Sequence, residues 1–161
     1  MKTRILAAGG TFDKHYNPLS GELEFGQSQI PDILINARLH SDITLEVVMQ
    51  IDSLDMQDDH RAQLLDRCKD APERCIVIVH GTDTMTTTAN VLGQAKLNKA
   101  IVITGAMVPS AVEKSDAQMN LGFALGCAGA LPDGVYVAMN GVVHQWNKVR
   151  KNRALGIFEP T

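Results

Sequence analysis

No apolar run in the sequence approaches the roughly 20 residues that a bilayer-spanning helix needs. At the amino terminus, Lys2 and Arg4 are followed by only Ile5-Leu6-Ala7-Ala8 before Gly9-Gly10, too short for a secretory apolar region. Cysteine is scarce: Cys68, Cys75 and Cys127 are odd in number and lack CxxC spacing. A disulfide framework is thereby excluded, and reduced thiols in a cytoplasmic protein are expected. The five histidines (His15, His40, His60, His80 and His144) show no HExxH or other metal-ligand spacing, so no metal is expected. Basic residues do not outnumber acidic ones. The net charge is −3, which leaves no overall electrostatic footprint for nucleic acid or an anionic membrane. The one basic cluster, residues 148–153, is too short to change that. Aromatics are 4% of the chain and Trp146 is its only tryptophan, read as a packing or interface residue. Gly9-Gly10 lacks dinucleotide-fingerprint spacing and no GKS or GKT occurs, so a nucleotide-binding loop is rejected and no organic cofactor is expected.

What the sequence has is a succession of short β-branched runs ended by glycine or small polar residues. Residues 3–8, 43–51, 76–79, 100–104 and 135–139 read as strands, with Val142-Val143 continuing the last of them beyond Gly141. Between them, residues 31–39, 57–71, 84–95 and 115–130 have helical spacing. In the helix over 31–39, Ile33, Leu34 and Ala37 share a face. In the next, Leu64, Leu65 and Cys68 point inward, and Met119, Phe123 and Cys127 mark the apolar face of the last. Residues 22–25 read as a short hairpin strand within a turn-rich segment (12–26), which is either a lid or a fixed surface hairpin. Strands alternating with helices predict one three-layer α/β domain over residues 1–161. Its sheet is mainly parallel with helices on both faces, of flavodoxin- or Rossmann-like form.

Thr11, Ser53, Thr82-Asp83 and Ala106 each follow a different predicted strand. A parallel sheet brings those ends to one edge, where open α/β sheets hold ligands. Taken alone, Thr82 or Asp83 reads as a helix cap, since its oxygen can satisfy an orphan N–H, and Ser115 or Asp116 reads as the cap of the helix over 115–130. His80, at the end of the central strand, reads as structural, bonding a backbone group.

These residues resemble the bacterial-type L-asparaginase family. AAGGTFDK (residues 7–14) is similar to its first signature and HGTDTM (80–85) to its second. Asp52-Ser53, Gly105-Ala106-Met107, Pro109-Ser110, Asp116, Asn120-Leu121, Met139-Asn140, Val149 and Lys151 are further matches in the family's order. The resemblance implies conversion of L-asparagine to L-aspartate and ammonia through a threonine nucleophile and an acyl-enzyme. Thr11 would attack the side-chain amide. Thr82, Asp83 and Lys151 would polarise a hydroxyl or water and relay protons. Ser53 and Asp83 would hold the substrate's α-carboxylate and α-amino groups, and the main chain at Ala106 would meet the amide. N–H groups following Gly10 are the candidate oxyanion donors. An ammonium has no lone pair, so Lys151 acts as a base only when neutral, a state that burial favours and Asp83 opposes.

The sequence departs from the family in three places. The family's loop tyrosine falls near Phe25 here, and Tyr16, the nearby tyrosine, is the candidate for its role. Leu54 stands where many relatives carry a polar substrate-binding residue. The chain resembles a short form with only the amino-terminal domain, and a homo-oligomer is expected. The alternative is a non-catalytic asparagine- or aspartate-binding domain, or an amidotransferase subunit.

Overall fold

The computed structural model describes residues 2–161. In chain order the elements are β1 (Lys2–Gly9), a one-turn 3-10 helix (Thr11–Asp13), β2 (Lys14–Asn17), β3 (Glu22–Phe25), α1 (Ile30–Asn36) and β4 (Asp42–Ile51). They continue as α2 (Asp58–Asp70), β5 (Cys75–Val79), α3 (Met85–Gln94), β6 (Ala100–Thr104), α4 (Ala117–Ala130) and β7 (Gly134–Met139). Three short strands complete the chain: β8 (Val142–Gln145), β9 (Arg150–Asn152) and β10 (Ile157–Glu159).

The main sheet has the order β4-β1-β5-β6-β7-β8, parallel except for β8. Its five parallel strands, numbered by appearance, run 2-1-3-4-5, the flavodoxin-like order whose switch point lies between β1 and β5. Strand periodicity divides the core into two faces. Ile5, Val77, Val102 and Tyr136 are successive register partners and lie in the cluster formed with Leu121, Ala124 and Ala128 of α4. Their neighbours Leu6, Ile78, Ile103 and Val137 are likewise partners and pack with Leu64 of α2 and Leu92 of α3. Burying one such Leu or Ile side chain fully stabilises the fold by roughly 2 kcal/mol. Continuous β-branched runs suit strands covered on both sides.

Three elements differ from the sequence expectation. Residues 142–145 do not extend β7. Asn140 (φ 51) and Gly141 (φ 82) form a tight turn, and β8 folds back antiparallel with Met139 opposite Val142. Asn-Gly is a two-residue hairpin signal, because both positions need positive φ. The inward face of α4 carries Ala117, Asn120, Leu121, Ala124 and Ala128, whereas Met119 is 59% exposed and Phe123 and Cys127 are only half-buried. The α4 sequence is apolar nearly all round, so its periodicity gives no direction. Small alanines then let the helix sit close to the sheet. Finally, α1 stops at Asn36, leaving Ala37 exposed while Ile30 takes the buried position. In α2, Leu64 and Cys68 are buried and Leu65 half-buried, as the spacing predicts, but Arg61 is buried with them. Burial pushes the Cys68 thiol up to about 12, which keeps it protonated and inert.

Candidate active site

The carboxyl ends of β1, β4, β5 and β6 converge, and glycines set how closely. Gly10, after β1, has φ 76 and ψ −176. A Cβ there would lie 2.3 Å from Cα of Gly81, so two backbones touch directly across the switch point. A Cβ on Gly81 would in turn lie 2.7 Å from both Cβ and Oγ of Ser53. One on Gly105 would lie 2.2 Å from the His80 carbonyl oxygen. Four loops are thus stacked at van der Waals contact.

Hydrogen bonds lock the stack. Gly10 N–H donates to Ile51 O (2.9 Å), so it is already engaged within the stack. Ser110 donates from both Oγ (2.8 Å) and N (3.1 Å) to Phe12 O, tying the β6–α4 loop to the turn that begins with Thr11. Thr84 Oγ1 donates to Ser53 O (2.7 Å) and Thr84 N to Ser53 Oγ (3.4 Å). Thr11 is half-buried.

The decisive contact comes from farther along the chain. Strands β9 and β10 pair antiparallel with Lys151 opposite Phe158, and the buried Val149 and Phe158 anchor this hairpin in the core. From there Lys151 Nζ reaches Thr82 Oγ1 (2.7 Å) and Asp83 Oδ1 (2.8 Å). The Lys151 side chain is 11% exposed and that of Asp83 33%. Asp83 does not cap α3. The cap position is Thr84, without a side-chain cap bond, and the Asp83 carboxylate is taken by Lys151 instead.

His80 lies beneath this loop, fully buried. The Gly81 carbonyl can only accept, so the 2.7 Å contact places the ring proton on Nδ1 and leaves Nε2 to accept from Thr88 Oγ1 (2.8 Å). The expectation of a structural histidine bonding backbone holds. Burial, aided by the cation of Arg61 and opposed by the Gly81 bond, pushes its pKa down to about 4. A depressed histidine gives stability that is complete above its unfolded value of about 6.5. That stability is lost as pH falls towards 4, because the unfolded chain binds the proton first. Relative to a His80→Asn variant, wild-type stability measured by urea unfolding is expected to fall by about 3 kcal/mol across that window.

Asp116 stands at the cap position of α4, but its side chain makes no cap bond and faces upstream. Its carboxylate accepts from Met107 N (3.0 and 3.1 Å), Val108 N (3.0 Å) and Asn120 Nδ2 (2.9 Å). Asn120 Nδ2 also donates to Gly105 O (2.9 Å), and its Oδ1 accepts from Asn140 N (2.9 Å). This network fixes the buried Ala106 main chain. Sequence reading as a cap missed it, and the i, i+4 spacing of Asp116 and Asn120 was the available signal.

Of the residues singled out by sequence, Thr82, Asp83 and Lys151 meet directly, and Gly10, Ser53 and Ala106 lie on the stacked loops. Tyr16 stands apart from that group. It is 61% exposed, sits opposite Leu23 in the β2–β3 hairpin, and donates no hydrogen bond to any of these groups among the described residues. Leu54 is also exposed. Among the described residues no group of three or more His, Cys, Asp or Glu could hold a metal ion, and no helix is long and apolar enough to cross a membrane.

Fold and site together define a flavodoxin-like α/β unit with a lysine-bridged Thr-Asp pair at its switch point. The family model for Asparaginase, N-terminal matches residues 2–157, and the chain belongs to that family. It is 31% identical over 170 aligned positions to L-asparaginase 1 of Escherichia coli (strain K12), an alignment covering 94% of this chain and 48% of that protein. It is 35% identical over 152 positions to the probable periplasmic L-asparaginase of Haemophilus influenzae, covering 86% of this chain and 43% of that protein. The solved structure of the thermostable L-asparaginase from Thermococcus kodakarensis superposes with TM-score 0.87 at 29% identity, covering 99% of this chain and 51% of that one. The chain therefore spans about half the length of the relatives it matches.

Proposed function

We propose that the protein hydrolyses L-asparagine to L-aspartate and ammonia. The observation that carries this reading is the Lys151 bridge to Thr82 and Asp83, placed across a glycine–glycine contact from the loop bearing Thr11. In the proposed reaction Thr11 Oγ bonds to the amide carbon as its O–H bond breaks, its proton is relayed towards the amide nitrogen, and the tetrahedral oxyanion is held by N–H groups after Gly10. The C–N bond then breaks, ammonia leaves, and an aspartyl ester remains on Thr11 until water cleaves it. Lys151 is the donor in both of its contacts. Thr82 Oγ1 therefore accepts from it and is left with its own proton to give. A hydroxyl polarised in this way suits that relay: Thr82 gives its proton to the departing nitrogen and takes up the one released by Thr11, and then orients the attacking water, whose proton returns to Thr11 as the ester is cleaved.

Ser53 and Asp83 are proposed to hold the α-carboxylate and α-ammonium of the substrate. Steady-state ammonia release over L-Asn, D-Asn, L-Gln and β-aspartyl peptides tests the proposal, with L-Asn expected to be the best substrate. Tight L-aspartate binding by calorimetry without ammonia release from any amide would instead support a sensing domain.

A further inference from the structure

The β2–β3 hairpin directly after Thr11 has little apolar support. Leu19 is 95% exposed and Leu23 lies open as well, and a two-stranded hairpin is marginal by itself in water. Its position must come from polar ties, and these join it to the site at both stems. Buried Asp13, before the incoming stem, accepts through Oδ1 from Ser28 Oγ (3.1 Å) and Gln29 N (3.1 Å), just beyond the outgoing stem. Gln50, near the end of β4, donates from Nε2 to Gly26 O (2.6 Å). Between these, Lys14 Nζ lies 2.7 Å from Asp52 Oδ2 and 5.3 Å from the centroid of the Phe25 ring. Asp52 Oδ1 accepts from Leu54 N (3.1 Å).

This pair differs from an ordinary surface ion pair. The side chains are 19% and 32% exposed, and each partner has a second contact that orders it beforehand, so less side-chain entropy is lost in pairing. Lys14 donating to Asp52 holds that carboxyl below its ordinary range, against the upward push of burial. Asp52 immediately precedes Ser53, and Lys14 lies three residues after Thr11. From this geometry we infer that Lys14 and Asp52 are positioning residues. Their ion pair clasps the hairpin to the Ser53 loop and so fixes the mouth of the cleft where the amino-acid end of the substrate is held. The kinetic half of this inference rests on the asparaginase reading, and the structural half does not.

The test uses Lys14→Met, Asp52→Asn and the charge-exchanged double variant Lys14→Asp/Asp52→Lys in the whole chain. Lys14→Met keeps the apolar stem against Phe25, and Asp52→Asn keeps an acceptor for Leu54 N–H. In each single variant, amide hydrogen exchange over residues 15–24 is expected to rise about tenfold. KM for L-asparagine should rise by a similar factor while kcat stays within about threefold. The double variant should restore both to within about threefold of wild type. Unchanged exchange in both single variants would overturn the clasp, as would a double variant no better than either single one. Raised exchange with unchanged KM would overturn its role in substrate binding. If the wild type released no ammonia, the asparaginase reading would fail, while hydrogen exchange would still decide the clasp.

Discussion

Lys151→Met is expected to lower kcat for ammonia release from L-asparagine by about 10³-fold, with little change in thermal unfolding. The lysine makes two contacts from one atom, 2.7 Å to Thr82 Oγ1 and 2.8 Å to Asp83 Oδ1. Methionine fills similar space without a donor, so the hydroxyl loses its polarising partner and the carboxylate loses its counter-charge. Arg153 lies nearby, yet its reach is to the Asp83 main-chain oxygen (3.4 Å), so it does not replace the missing contact. Lys151→Arg should recover less than a tenth of the wild-type rate. A planar guanidinium cannot place one nitrogen at both acceptors. Because Val149 and Phe158 anchor the hairpin, the variant retains its fold, and the loss is read in catalysis alone.

The largest stability effect is expected at Gly10. Its φ of 76 and ψ of −176 fall in a region that essentially only glycine adopts, and a Cβ would lie 2.3 Å from Cα of Gly81. The neighbour is backbone, so it cannot rotate away. Gly10→Ala should cost about 3 kcal/mol or more in urea unfolding and separate the Thr11 and Thr82 loops. Gly21 provides the control. Its φ is 73, but a Cβ there would meet nothing within 4 Å, so Gly21→Ala should cost only about 1 kcal/mol and leave activity intact.

These residues also show where the sequence was legible. β-branched runs ended by glycine marked the strands, and in a parallel sheet their ends must share an edge. The convergence of the loops bearing Thr11, Ser53, Thr82-Asp83 and Ala106 could therefore be read without coordinates. Four features could not be read that way. The inward face of α4 was hidden because a helix apolar on all sides has no directional pattern. Strands β9 and β10, which deliver Lys151, were hidden because residues 148–153 read only as a short basic cluster, although Val149 and Phe158 bury behind them. Asp83 and Asp116 were each legible as caps, since an acid before a helix satisfies that pattern. Their tertiary partners, Lys151 and the Met107–Val108 amides, override it. Lys14 and Asp52 are 38 residues apart, and only the register of β1 against β4 brings their loops together.

Thr11, on the loop that meets the Thr82 loop at the Gly10–Gly81 contact, is proposed to break the amide of L-asparagine. The most direct test is ammonia release from saturating L-asparagine by the wild type beside a folded Thr11→Ala variant. Ammonia from the wild type and a rate at least about 10³-fold lower in the variant is the predicted result. Equal rates in the two proteins would contradict it.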